Sequence, residues 1–84
     1  MQMYQLYINE KTLELKVKPL KAAFKNDKGI VEFLQNTPYD IYYQNENYRL
    51  CGKRAPLVEL ARDIKNGWLI QAKNRVQKIE EIKI

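Results

Sequence analysis

The chain has 84 residues, of which 45% are hydrophobic and 30% charged, and this balance predicts one small globular domain over residues 1–84 with no large substrate cleft. Fifteen Lys and Arg against ten Asp and Glu give a net charge of +5, which favours nucleic acid or an acidic protein surface as the partner. With no histidine, no serine, one cysteine and three glycines, the chain lacks the residues for a Ser-His or Cys-His nucleophile pair, a common zinc site or a glycine-rich phosphate loop.

The first part of the chain predicts a β-hairpin followed by a helix. Apolar residues alternate with polar ones in two runs separated by a hairpin-sized polar gap, which is the pattern of two half-buried strands. The two runs are Tyr4, Leu6 and Ile8, then Leu13, Leu15 and Val17. Pro19 is predicted to open a helix, because its missing N–H would be unpaired there in any case. Asp27 is a candidate cap for a second short helix that runs through Leu34.

The chain then repeats this plan with an offset of 35 residues. The matching positions are Tyr4, Tyr7, Leu15 and Lys18 in the first copy and Tyr39, Tyr42, Leu50 and Lys53 in the second. Inward residues of the second hairpin are predicted to be Ile41, Tyr43, Tyr48 and Leu50. Pro56 then opens a helix whose apolar stripe is Leu57, Leu60, Ala61 and Ile64. The expected fold is therefore α+β: two ββα units, residues 4–37 and 39–84, forming a mostly antiparallel sheet with the helices packed on one face.

The end of the second helix has two interpretations. Gly67 could end it, because glycine adopts the left-handed conformation of a helix C-cap readily. Alternatively the apolar stripe continues through Trp68, Ala72, Val76 and Ile79. We predict a continuous or slightly broken helix to about Lys78, with Trp68 as core or rim packing, or as a partner anchor if Gly67 breaks the helix. Ile82 and Ile84 are candidates for a short C-terminal strand.

Helices on one face would leave the other face of the sheet open, and that face is the predicted binding site. Its residues, together with two cations at the start of the second helix, are Tyr7, Lys16, Lys18, Tyr42, Arg49, Lys53 and Arg54. Tyrosine rings stack on unpaired bases while cations contact phosphates, and a helix N-terminus attracts anions. The alternatives are that these are ordinary strand and surface residues, or that they form a protein-binding face.

These observations predict a small, basic, non-enzymatic module that binds nucleic acid, with no catalytic or metal-binding residues and no small-molecule cofactor. The alternative is a protein-binding inhibitor or regulator from a phage or mobile element that blocks a host complex. Cys51 is expected to be a small structural residue, and a lone cysteine fits a reducing compartment. Because the sequence shows neither a signal-peptide pattern nor a long apolar run, we expect a cytoplasmic protein with no membrane partner.

Overall fold

A computed structural model describes residues 2–83, which form a four-stranded antiparallel sheet and three α-helices. In chain order the elements are β1 (Tyr4–Asn9), β2 (Glu14–Pro19), α1 (Ala22–Lys25), α2 (Lys28–Asn36), β3 (Tyr42–Asn45), β4 (Tyr48–Cys51) and α3 (Arg54–Glu80). The strand order is β2-β1-β4-β3, so the two hairpins meet through the antiparallel pairing of β1 with β4. The predicted α+β class with an antiparallel sheet is confirmed.

The connection between the hairpins holds two short helices, and it differs from the prediction in where the first of them begins. Pro19 is the last residue of β2 instead of the first residue of a helix. Since β2 is an edge strand, a residue without an N–H can end it without losing a bond to the sheet interior. Asp27 caps α2 as predicted, because its carboxylate accepts hydrogen bonds from the backbone N–H groups of Gly29 and Ile30 at 3.0 and 3.2 Å. The element order is thus ββ-αα-ββ-α.

The helices cover both faces of the sheet, and the prediction of helices on one face is wrong. One face, called here the α3 face, carries Leu6 and Ile8, which pack with Leu57 of α3. The opposite α1–α2 face carries Leu50, which packs with Leu34 of α2. The physical reason is the β1–β4 register: Leu50 lies opposite Gln5, and the side chains of neighbouring residues along a strand alternate between the two faces. Both faces of the sheet therefore carry apolar side chains, and helices bury these side chains on each face.

The third helix runs without a break from Arg54 to Glu80, so the predicted continuation past Gly67 is confirmed. Its first half packs on the sheet, with Leu57 buried and Trp68 partly buried in the same cluster. Residues 69–80, called here distal α3, are all exposed and extend beyond the sheet, which gives the molecule a long axis of 59 Å against 20 and 16 Å. Ile82 forms no strand, and Ile84 lies outside the described residues.

Within residues 2–83, no helix combines the length and the apolar content that crossing a membrane requires.

Candidate partner-binding site

Three of the predicted binding residues come together on the α1–α2 face. Tyr7 lies opposite Lys16 across the β1–β2 ladder, and Lys18 follows on the same side of β2. Two residues that the sequence interpretation missed complete the group. The ring of Tyr48 lies 5.4 Å from that of Tyr7, and the Lys21 ammonium donates a hydrogen bond to the Tyr48 hydroxyl at 3.0 Å. These five residues are called the tyrosine–lysine patch below.

Several functional groups of the tyrosine–lysine patch already contact other side chains of the protein. The ammonium of Lys21 lies 4.1 Å from the centre of the Tyr48 ring, where a stacked base would otherwise sit. Lys16 forms an ion pair with Glu14 at 2.9 Å. A hydrogen bond from Thr12, with the Lys16 ion pair, lowers the pKa of Glu14, and Glu14 in turn raises the pKa of Lys16. A nucleic acid would have to displace several of these contacts before it could stack.

The structure separates Tyr42 and Arg49 from the tyrosine–lysine patch. Tyr42 lies on β3, the far edge of the sheet, and packs edge-on against Phe33 of α2 with ring centres 5.2 Å apart. Arg49 points to the α3 face, because it precedes Leu50 and side chains alternate along a strand. Its guanidinium lies 4.1 Å from the centre of the exposed Tyr43 ring. The predicted placement of Arg49 on one open face with Tyr42 is therefore wrong.

The two cations predicted at a helix start do lie there. Lys53 is the N-cap residue of α3, Arg54 is its first residue, and both are exposed. Among residues 2–83, no side chain caps this end of the helix, so its N–H groups face solvent or a ligand. In the described part of the chain, neither cation contacts the tyrosine–lysine patch through a hydrogen bond, ion pair or ring contact, and their anion-binding role stays a prediction.

Cys51 is fully buried. It packs with Leu6 and Leu57 between the sheet and α3. Its thiol donates a hydrogen bond to the Pro38 carbonyl at 3.2 Å. These surroundings agree with the interpretation of Cys51 as a small structural residue.

Distal α3 carries an exposed apolar stripe that the sequence interpretation assigned to a helix packed on its own sheet. The stripe consists of Leu69, Ala72, Val76 and Ile79. Their spacing of three, four and three residues places all four on one side of the helix. The large members Leu69, Val76 and Ile79 are 50%, 53% and 62% exposed. An exposed helix normally shows polar residues on all sides that face water, so this side lacks an expected partner.

The apolar stripe forms one wall of a groove whose other wall is the turn between β1 and β2. Leu13 at the tip of this turn is 68% exposed, and Trp68 lies at the inner end where α3 leaves the sheet. The groove, called here the α3 groove, has a volume of about 640 Å³. Leu13 was predicted in a strand, but it has a left-handed backbone with φ of 57° and precedes the first residue of β2. The turn therefore holds an apolar side chain outward beside the helix.

Charged residues border the α3 groove, and most of them are cations. Lys65 and Arg75 line it together with Glu10. Lys73 and Glu80 lie along the outer side of the stripe. Three cations against two carboxylates give this border a net positive charge.

The lining of the α3 groove is mostly apolar. No cluster of three or more His, Cys, Asp or Glu that could hold a metal ion occurs among residues 2–83. Comparisons of the chain with known protein families, with curated proteins and with solved structures find no match.

Proposed function

We propose that this protein is a non-enzymatic binding module that docks a protein partner in the α3 groove. The observation that carries the proposal is the apolar stripe, whose three large side chains are each at least half exposed on a helix that has left its own sheet. Soluble monomers rarely expose a contiguous apolar patch unless it binds something. A helix segment of this length is also marginal in water by itself, so a partner would stabilise it.

A nucleic acid is the alternative partner, and the geometry favours it less. That prediction relied on an open sheet face, whereas helices pack on both faces. The predicted binding residues divide into the tyrosine–lysine patch, the Arg49–Tyr43 pair and the start of α3. The net charge of +5 and the tyrosine–lysine patch still allow a nucleic acid to bind. A test of the proposal must therefore distinguish a nucleic acid from a protein partner.

A module of this kind acts by occupying a surface of its partner, so the proposed biological role is that of an inhibitor or regulator of a protein complex. The proposed location is a reducing cytoplasm, because the one cysteine of the chain is buried as a thiol between sheet and helix.

The double variant Val76→Gln/Ile79→Gln tests the docking proposal. Glutamine has a somewhat higher helix propensity than Val or Ile and leaves the charge unchanged, but it removes the apolar surface that a partner would bury. Burial of a Val or Ile side chain is worth roughly 1.5–3 kcal/mol, so the double variant is expected to weaken partner binding by roughly 100-fold or more. The measurement is capture of partners from a nuclease-treated lysate of the source cells by wild type and variant, followed by titration of the captured protein.

Ile70→Gln is the matched control, because Ile70 lies on the same helix, is 60% exposed and does not line the groove. It is expected to capture the partner as wild type does. Equal loss in the control and the double variant would show that the groove is not the site. If nuclease treatment abolishes capture by the wild type, the partner is a nucleic acid and the docking proposal is contradicted.

A further inference from the structure

The shape of the α3 groove fits one kind of protein segment. The stripe from Leu69 to Ile79 covers ten residue steps, which is about 15 Å or three turns of helix. Its spacing of three and four residues is the pattern by which one helix packs against another. Leu13 and Trp68 close the inner end of the groove, so a segment seated on the stripe contacts apolar side chains on two sides. An amphipathic helix that lays its apolar side into a groove meets these requirements.

The charged residues at the border of the groove determine which charge is favoured on a helix that binds there. Lys65 and Arg75 line the groove with Glu10, and Lys73 lies along the outer side of the stripe with Glu80, so cations outnumber carboxylates by three to two. An incoming helix places the residues that flank its apolar side next to such border charges. Carboxylates at those flanking positions are attracted to the cations, whereas lysines there are repelled.

A second copy of this chain is a poor occupant, because of where its charges would meet. In a symmetric antiparallel pair over the whole stripe, the twofold axis lies between the two helices at the level of Asn74, halfway along the helix between Leu69 and Ile79. Lys73 and Arg75 lie on either side of that midpoint, so each would approach its own copy, which is unfavourable.

A parallel pair of two copies is disfavoured by the fold. It would also bring the first halves of the two α3 helices together, although the sheet of each copy already packs on this part of the helix through Leu57, Leu60 and Ile64. A partner is therefore expected beside distal α3.

We infer that the occupant of the α3 groove is an amphipathic α-helix of another protein whose apolar side is flanked by acidic residues. This inference rests on the proposed function and names the partner's chemistry. The acidic flanks hold the helix in register along the cations of the groove, and its apolar residues cover the stripe.

Two designed helical peptides serve as probes. They share one Leu/Ile seam of three turns and differ only in the flanking positions, which are Glu in one peptide and Lys in the other. Trp68 is the one tryptophan of the chain and lies in the groove, so its fluorescence reports binding of either peptide. At roughly 0.1 M salt the Glu peptide is expected to bind about tenfold tighter or more, and the difference is expected to shrink at roughly 1 M salt, where screening is strong.

The variant Lys73→Glu/Arg75→Glu is expected to reverse the preference between the two peptides. Lys25→Glu/Lys28→Glu is its matched control, because it changes the net charge equally at exposed positions on α1 and α2, and it is expected to keep the preference for the Glu peptide. A control variant that reverses the preference as well would show that net charge, and not the groove border, selects the peptide, and would overturn the inference.

The remaining outcomes separate the inference from the proposed function. If both peptides bind equally and both lose binding in Val76→Gln/Ile79→Gln, the groove docks helices but does not select acidic ones. If neither peptide binds, the inference is overturned. Sedimentation then shows whether the protein is a dimer. A dimer that dissociates in Val76→Gln/Ile79→Gln would show that a second copy fills the groove.

Discussion

Leu50→Ala and Leu57→Ala are each expected to lower the free energy of unfolding by roughly 2–5 kcal/mol, the usual range for a buried leucine that leaves a cavity. Both side chains are fully buried, but they belong to different clusters. Leu50 packs under α2 on one face of the sheet, and Leu57 packs from α3 on the other face. Urea denaturation followed by circular dichroism measures both changes.

The pair of substitutions also tests whether helices cover both faces. Leu13→Ala is the control, since this leucine is exposed at the β1–β2 turn and its truncation is expected to change stability by about 0.5 kcal/mol or less. If Leu57→Ala is strongly destabilising while Leu50→Ala resembles the control, α1 and α2 do not cover the second face.

Gly52→Ala is expected to destabilise the protein by roughly 1–3 kcal/mol, the range for overpacking a filled interior. A Cβ atom at this position would lie 2.7 Å from the Leu34 carbonyl oxygen and 2.9 Å from the Pro38 Cα. Both are backbone atoms, so neither can rotate away as the end of a side chain would. Relief requires that the end of α2 and the loop between α2 and β3 move away from Gly52. Thermal unfolding of the variant measures the change.

Gly67→Ala is the opposite case and serves as the control. No atom among residues 2–83 lies within 4 Å of a Cβ at this position, apart from its chain neighbours and the backbone of the same helix. Alanine in a helix interior is favoured over glycine by roughly 0.5–1 kcal/mol, so this variant is expected to raise the stability. Equal and small effects at the two glycines would contradict the close approach of β4 to α2 at Gly52.

The first hairpin could be predicted because its alternation is regular. Leu6 and Ile8 do lie on one face with Leu15 and Val17, and Tyr7 lies on the other. The Asp27 cap and the continuous α3 also followed from local signals, namely a capping residue before an apolar run and an apolar stripe that continues past Gly67.

The second hairpin could not be placed from the sequence because both faces of β3 and β4 carry large residues. An irregularity between Tyr43 and Asn45 also shifts the register of this pair. The face that each helix covers depends on the pairing of β1 with β4, which are far apart in the chain. Local patterns do not report such a contact, so Arg49 was assigned to the wrong face.

Three members of the apolar stripe, Ala72, Val76 and Ile79, could be predicted from the sequence, but their exposure could not. An apolar side of a helix predicts a packing partner without telling whether the partner belongs to the same chain. The lengths of α3 and of the strands explain why the stripe is exposed. The 27 residues of α3 span about 40 Å, whereas strands of six residues span about 20 Å, so the sheet covers only half of the helix.

Amide hydrogen exchange of the protein, alone and with the partner captured from its source cells, tests the central claim most directly. Distal α3 makes no buried contact among residues 2–83, so its amides are expected to exchange faster in the free protein than those of the first half of the helix. Partner binding is predicted to slow exchange in residues 65–83 and in the turn around Leu13, with little change in α1 and β3. Protection confined to the strands that carry Tyr7 and Lys16, with distal α3 unchanged, would contradict docking in the α3 groove.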